Sequence, residues 1–174
     1  MSTIKVENLT GITSGANANK IIVPAGQTLD ASAATLVPSA GAVVQVQQFY
    51  DATTPHNTST STSFAATGIA KSITPKYSNS LIIIQSNITM TYATNWWQGQ
   101  MYLNGSAMAG SNMYQYGYVD NAHNAYSPMI MQAQHQCTST SALNFELYAK
   151  TQGSTSYITH LNASAAITLW EIKV

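Results

Sequence analysis

From Val43 onward, apolar and polar residues alternate along the chain with a period of two. The clearest case is Ser80–Tyr92, in which Ile82, Ile84 and Ile88 lie on one face and polar residues occupy much of the other. A period of two is typical of a half-buried β-strand, because successive side chains point to opposite faces of a sheet. The same alternation predicts further strands at residues 43–50, 97–103, 129–137, 143–150, 157–161 and 167–174.

Turn residues separate these predicted strands. Asn104-Gly105 follows the strand at 97–103 and is the strongest short-range signal for a β-hairpin. Thr53–Ser63 is rich in serine and threonine and predicts a loop. No stretch has a convincing helical period of 3.6 residues. Short strands joined by such turns indicate an all-β sandwich or barrel for residues 43–174.

Residues 1–42 have a different pattern. Short apolar triplets such as Ile21-Ile22-Val23 alternate with Gly, Asn, Ser and Pro, and the segment contains no aromatic residue. A segment this short and thinly apolar cannot bury a core alone. We therefore predict an extended N-terminal arm for attachment or oligomerisation. A hairpin folded onto the main domain is the alternative.

Charge excludes several classes of function. The 174 residues contain six lysines, no arginine and six acidic residues, so the net charge is zero and only 7% of residues are charged. Nucleic-acid binding and anionic membranes both require clusters of basic residues, which this chain lacks. The longest apolar run, Leu81–Ile84, is far too short for a membrane span, and no secretory signal is visible at Met1–Lys5. We therefore expect neither nucleic acid nor membrane insertion among its interactions.

The sequence gives little support to catalysis or metal binding. The histidines have no close ligand spacing, and His135 lies two residues from the single cysteine, Cys137, beyond hydrogen-bond reach on a strand. The carboxylates outside the arm, Asp51, Asp120, Glu146 and Glu171, are scattered. Glu146 and Glu171 are expected to face solvent. We predict a non-enzymatic protein with no cofactor and no metal, in which His135 and Cys137 are ordinary strand residues.

One segment is rich in aromatic residues. Trp96 and Trp97 are adjacent, so in a strand they face opposite sides, and Tyr114, Tyr116 and Tyr118 alternate along another stretch. Tyrosine and tryptophan present large, rigid contact surfaces that stack on sugars and anchor binding loops. These five residues are the predicted receptor- or partner-binding site. Packing in the core or at a subunit interface is the alternative.

The sequence resembles those of small virion proteins of tailed marine phages and cyanophages. The resemblance lies in Met1–Leu9, in Thr62–Ile69, in Ser72–Pro75 with Ser78–Ile83, and in the ending Ala165–Ile172. Those proteins are usually described as tail-fibre or structural proteins. The resemblance implies a jelly-roll-like antiparallel β-sandwich that forms homotrimers. The aromatic segment departs from the family's usual sequence pattern, which leaves receptor specificity open.

These observations together predict a structural protein of a phage virion. We expect a trimeric tail fibre or fibre-tip adhesin on the virion surface, since a neutral chain suits many copies packed closely together. Residues 1–42 would bind other virion proteins, and residues 43–174 would bind a host glycan or an envelope protein. The alternative is a capsid decoration or cement protein, or a head fibre, that stabilises the shell. A free carbohydrate-binding module is a third interpretation.

Overall fold

The computed structural model describes residues 15, 25, 26, 38–51, 58, 59, 61–92, 97–115, 125–151, 156–158 and 165–174. The chain divides into two compact units, Met1–Val37 and Pro38–Val174. Most of the predicted arm belongs to the first unit, of which three residues are described. The arm's role in attachment therefore stays a prediction, and the fold below is that of the second unit.

The described residues form ten strands, and they include no helix that is long and apolar enough to cross a membrane. The prediction of an all-β protein is confirmed. The strands are β1 (Val43–Asp51), β2 (Thr58–Ser59), β3 (Ala65–Ile73), β4 (Leu81–Tyr92), β5 (Trp97–Leu103), β6 (Ser106–Gln115), β7 (Ala125–Gln136), β8 (Leu143–Thr151), β9 (Ser156–Ile158) and β10 (Ala165–Ile172).

The strands form two antiparallel sheets. The first sheet contains β1, β10, β4 and β7 in that order, and the short strands β9 and β2 extend it beside the far end of β4. The second sheet has the order β3, β8, β5, β6. Contacts of β1 with β3 and of β6 with β7 join the sheets at their edges. The architecture is a β-sandwich whose apolar inner faces pack together.

The pairing of the eight longer strands is nested. The first pairs with the last, β1 with β10; inside it lie the pairs β3 with β8, β4 with β7, and β5 with β6. Two further pairings, β4 with β10 and β5 with β8, join these hairpin-like units within each sheet. The order of strands therefore follows from folding one long antiparallel ribbon over on itself.

The core confirms the predicted alternation. In β4 the residues Ile82, Ile84 and Ile88 are fully buried, whereas Ile83 and Asn87 on the other face are exposed. Strands β8 and β10 alternate in the same way. The core consists of the buried apolar residues Ile69, Ile73, Ile82, Ile84, Ile88, Met101, Met131, Cys137, Phe145, Leu147, Ala149, Ala165, Ile167 and Leu169.

The strand β3 was not predicted from alternation, and its pairing with β8 is irregular. The register shifts between Ala66 and Ala70, and Gly68 has a φ of +76°. The buried positions Thr67, Ile69 and Ile73 keep the two-residue period across this bulge, but Thr67 is polar, so the apolar pattern is weak. The hydroxyl of Thr67 donates to the carbonyl of Leu147 at 2.8 Å, which holds the bulge against the sheet.

The predicted hairpin at Asn104-Gly105 is confirmed. Asn104 and Gly105 have φ values of 49° and 79° between β5 and β6, as a tight two-residue turn requires. Asn104 also binds β8, since its N–H donates to the carbonyl of Asn144 at 2.9 Å and its Oδ1 accepts from the N–H of Asn144 at 2.8 Å. One residue thus fixes the turn and its contact with the neighbouring strand.

Replacing Asn104 by alanine will lower the free energy of unfolding by about 1–2 kcal/mol. Alanine removes the Oδ1 acceptor and is less tolerant of a positive φ. Urea-induced unfolding at fixed protein concentration measures the change. Asn104→Gly is the matched variant, because it keeps the backbone conformation and isolates the lost acceptor. An alanine variant as stable as the original protein would contradict this account of the turn.

Candidate functional site

The outer face of the first sheet carries an apolar row that crosses three strands. The register places Val46 of β1 opposite Trp170 of β10, and Trp170 opposite Ile83 of β4. Val46 is 50% exposed and Ile83 is 38% exposed, while Trp170 between them is half-buried. This row points away from the sandwich core, because its chain neighbours Leu169 and Ile82 are fully buried.

No charged residue occupies an outward position on this face among the strand residues whose side chains are described. Beyond the apolar row, amides, hydroxyls and small side chains cover it. The outward residues are Val46, Gln48, Tyr50, Leu81, Ile83, Gln85, Asn87, Ile130, Gln132, Gln134, Gln136, Ala166, Thr168, Trp170 and Ile172. We call this set the neutral face.

A groove borders the neutral face where β6 approaches β7. The register of β6 jumps between Asn112, opposite Gln100, and Ala107, opposite Tyr102, so a four-residue bulge faces Met101 alone. The bulge and β7 border an open recess of about 460 Å³ and a neighbouring open hollow of about 270 Å³. The larger recess is lined by Ile83, Met108, Ala109, Gly110, Gln132, Ala133 and Gln134. Among these described lining residues there is no ionisable group.

The outer face of the second sheet carries an aromatic cluster instead. Tyr102 of β5 and Tyr148 of β8 are stacked, with ring centroids 3.7 Å apart. The centroid of the Phe64 ring lies 6.4 Å from that of Tyr102. The ammonium of Lys150 lies 4.8 Å from the centroid of the Phe64 ring. These rings pack against one another and against a cation. The cluster therefore covers part of the outer face of the second sheet.

A buried carboxylate lies at the edge of the sandwich. Glu171 is 0% exposed, and its carboxylate accepts hydrogen bonds from the side-chain amide of Gln45 at 2.7 Å and from the Ser80 hydroxyl. The backbone N–H groups of Lys76 and Tyr77 donate to it at 2.8 and 3.1 Å. One side chain thus binds β1, β10 and the turn between β3 and β4 to one another.

The prediction that Glu171 faces solvent is wrong. In β10 it occupies the same side as Ile167 and Leu169, which are fully buried. The surrounding donors replace the water that the carboxylate loses on burial, so that a charged side chain is tolerated there. Glu146 does lie on an outer face, where it is half-buried opposite Tyr102.

The hydrogen bonds set the charge state of this site. Burial alone raises the pKa of Glu171, but donors from Ser80, Gln45, Tyr77 and Lys76 outweigh it and hold that pKa below the ordinary value of 4.5. Burial, and secondly the charge of Glu171, raise the pKa of the Cys137 thiol above its ordinary value of 9.0. Cys137 is therefore a protonated core residue near neutral pH rather than an activated nucleophile.

Acidification will destabilise the sandwich through Glu171. Because its pKa is lower in the folded state, the stabilisation is complete above the ordinary carboxyl pKa of 4.5 and is lost as the pH falls towards the lower folded pKa. Urea-unfolding curves recorded at decreasing pH measure this loss. The matched variant Glu171→Gln will be less stable at neutral pH and will have a flatter dependence below pH 4.5. Equal slopes for both proteins would contradict the assignment.

His135 lies in β7, whereas Cys137 lies just beyond its end, so the prediction of a strand position holds for His135 alone. His135 is half-buried in β7 and its ring lies edge-on to Phe145, with centroids 6.2 Å apart. Cys137 is buried directly after the strand ends. In the described ranges, no three His, Cys, Asp or Glu side chains come together in a group that could hold a metal ion.

The predicted aromatic site is only partly within the described residues. Trp97 begins β5 and Tyr114 lies near the end of β6, and the register pairs their immediate neighbours, which puts the two backbones side by side. Trp96, Tyr116 and Tyr118 lie outside the described residues. Their role as a binding surface stays a prediction.

Trp170 is the residue of the neutral face that the sequence-based predictions missed. A signal for it was present, since Ile167, Leu169 and Glu171 alternate with Thr168, Trp170 and Ile172. A tryptophan opposite a buried row has to lie on the outer face of the same strand.

Comparisons with known proteins give little further information. No protein-family model and no curated protein matches the chain. Among solved structures, the crystal structure of dimeric latent PorU from Porphyromonas gingivalis is similar with a TM-score of 0.40 and 7% sequence identity. The match covers 79% of this chain and 14% of the PorU chain. A similarity this weak carries no argument about function.

Proposed function

We propose that this protein is a structural protein of a phage virion, built on a jelly roll and associated as a trimer. The nested pairing of the eight longer strands carries the proposal. Labelled A to H in chain order, they form sheets A-H-C-F and B-G-D-E, and this order supports a jelly roll of two interleaved Greek keys. Double-sheet jelly rolls of this kind build viral capsid and lectin domains.

Within that class, the proposed role is a tail fibre or fibre-tip adhesin. Residues 1–42 bind other virion proteins and tie the trimer to the particle. Residues 43–174 project outward, and the aromatic residues Trp96, Trp97, Tyr114, Tyr116 and Tyr118 contact a host glycan or an envelope protein. The near absence of charge supports a repeated part of a particle, because like charges on neighbouring copies repel.

Competition for the host surface tests this role. Purified protein added to host cells before the phage is expected to occupy receptors and slow adsorption in proportion to its concentration. Heat-unfolded protein is the control. Unchanged adsorption, together with capsids that burst at a lower temperature when the protein is missing, would overturn the adhesin role in favour of a capsid decoration or cement protein.

A further inference from the structure

We propose that the neutral face is the surface through which copies of this chain associate, with Trp170 as its central anchor. This inference rests on the proposed trimer, and it adds which side of the sandwich faces the other copies. The occupant is a neighbouring copy of this chain, whose equivalent face points towards the same symmetry axis. Three observations about the described residues carry the inference: the location of exposed apolar side chains, the absence of charge, and the setting of Trp170.

Exposed apolar side chains are concentrated on one side of the molecule. The most exposed large ones within the described ranges all belong to strands of the first sheet or follow its strand β10, and none belongs to the second sheet. They are Val43, Val46, Tyr50, Ile83, Ile130 and Val174. Exposed apolar side chains gathered on one face mark an interaction surface in soluble proteins.

The lack of charge on this face favours a second copy of the chain as the partner. In a symmetric assembly the same residues of each copy approach one another near the axis, so a charged face would bring like charges together. The neutral face has none among its described side chains, whereas the second sheet presents Glu146 and Lys150. A partner recognised by charge would require the opposite arrangement.

The setting of Trp170 matches that of an interface anchor. Tryptophan is among the residues that contribute most binding energy at protein interfaces, and it does so at the centre of a patch that excludes water. Trp170 lies between Val46 and Ile83 in the register, so apolar side chains surround it on both neighbouring strands. The recess of about 460 Å³ beside Ile83 gives the face a concave margin that a neighbouring copy can fill.

Lysine substitution with sedimentation analysis tests the inference. The double variant Val46→Lys and Ile83→Lys places two charges on the neutral face without altering the core. We expect the full-length protein to sediment as a trimer at micromolar concentration, and the variant to associate at least about 100-fold more weakly. Ala66→Lys is the matched control, since Ala66 is exposed on β3 of the second sheet, and it is expected to stay trimeric.

The outcomes separate this inference from the proposed function. A double-lysine variant that stays trimeric would overturn the choice of surface and leave the trimer intact. A full-length protein that is monomeric would overturn both. Thiol labelling of Ile83→Cys gives a second measurement that does not require a dissociated variant. Position 83 should label at least about tenfold more slowly than Ala66→Cys in the trimer, and equal rates would overturn the inference.

Discussion

Replacing Glu171 by alanine will destabilise the sandwich by about 3 kcal/mol. The substitution leaves the side-chain amide of Gln45, the hydroxyl of Ser80 and the N–H groups of Lys76 and Tyr77 without their common acceptor. These donors come from β1 and from the turn before β4, so their loss loosens one edge of the sandwich. Urea-induced unfolding at a fixed protein concentration, followed by circular dichroism, measures the change.

Two buried serines provide a matched control for this prediction. Ser80 and Ser86 are both fully buried, but only Ser80 donates to Glu171, and the Ser86 hydroxyl has no hydrogen-bond partner in the described part of the chain. Ser80→Ala should therefore lower the stability by about 1–2 kcal/mol, whereas Ser86→Ala should be nearly neutral. Equal effects of the two serine substitutions, or a stable Glu171→Ala variant, would contradict the proposed role of the carboxylate.

Replacing Trp96 or Tyr116 by alanine will reduce host binding by about 30-fold, since aromatic anchors at interfaces typically contribute about 2 kcal/mol or more. The reason is the adjacency of Trp96 and Trp97, of which one must face outward if both continue a strand, and the alternation of three tyrosines in Tyr114–Tyr118. Adsorption of phage carrying each variant, or binding of the purified trimer to host cells, measures the effect.

The control for this prediction is an aromatic residue elsewhere. Tyr148→Ala removes a ring that is stacked on Tyr102 at 3.7 Å, so it should cost about 1 kcal/mol of stability and leave host binding unchanged. If Trp96→Ala abolishes the soluble trimer, the aromatic segment belongs to the core or to a subunit contact. If Tyr148→Ala alone reduces binding, the receptor surface lies on the second sheet.

Much of the fold was predictable because the core strands alternate strictly. In β8 the apolar period of two is unbroken, and in β4 only Ser86 interrupts it on the buried face; the buried residues Ile82, Ile84, Phe145 and Leu147 follow it. The two-residue turn was equally predictable, since Asn-Gly is suited to the positive φ values that it requires. Where apolar and polar residues alternate strictly in the sequence, the observed burial of the side chains follows the same alternation.

The remaining features depend on contacts between residues that are far apart in the chain. Glu171 is tolerated in the interior only because Gln45 and Ser80, 126 and 91 positions away, donate to it. The irregular strand β3 is held by a hydrogen bond from Thr67 to Leu147, 80 positions away. Alternation cannot reveal such partners, because it describes one strand at a time.

The neutral face also depends on residues that are far apart in the chain. Val46, Ile83 and Trp170 belong to three different strands, and only the register brings them into one row. Each residue alone is an unremarkable exposed or half-exposed apolar side chain, of the kind that most soluble proteins carry. The row becomes informative when the strand order is known.

Imaging of intact particles will test whether this chain is part of a phage virion, as we propose. Purified phage particles labelled with an antibody against the Pro38–Val174 unit should be examined without imposed symmetry. The account predicts label at the ends of tail fibres, in positions that fit three copies each. Label confined to the shell would favour the decoration role instead. Purified particles that carry no copy of this chain would contradict the claim.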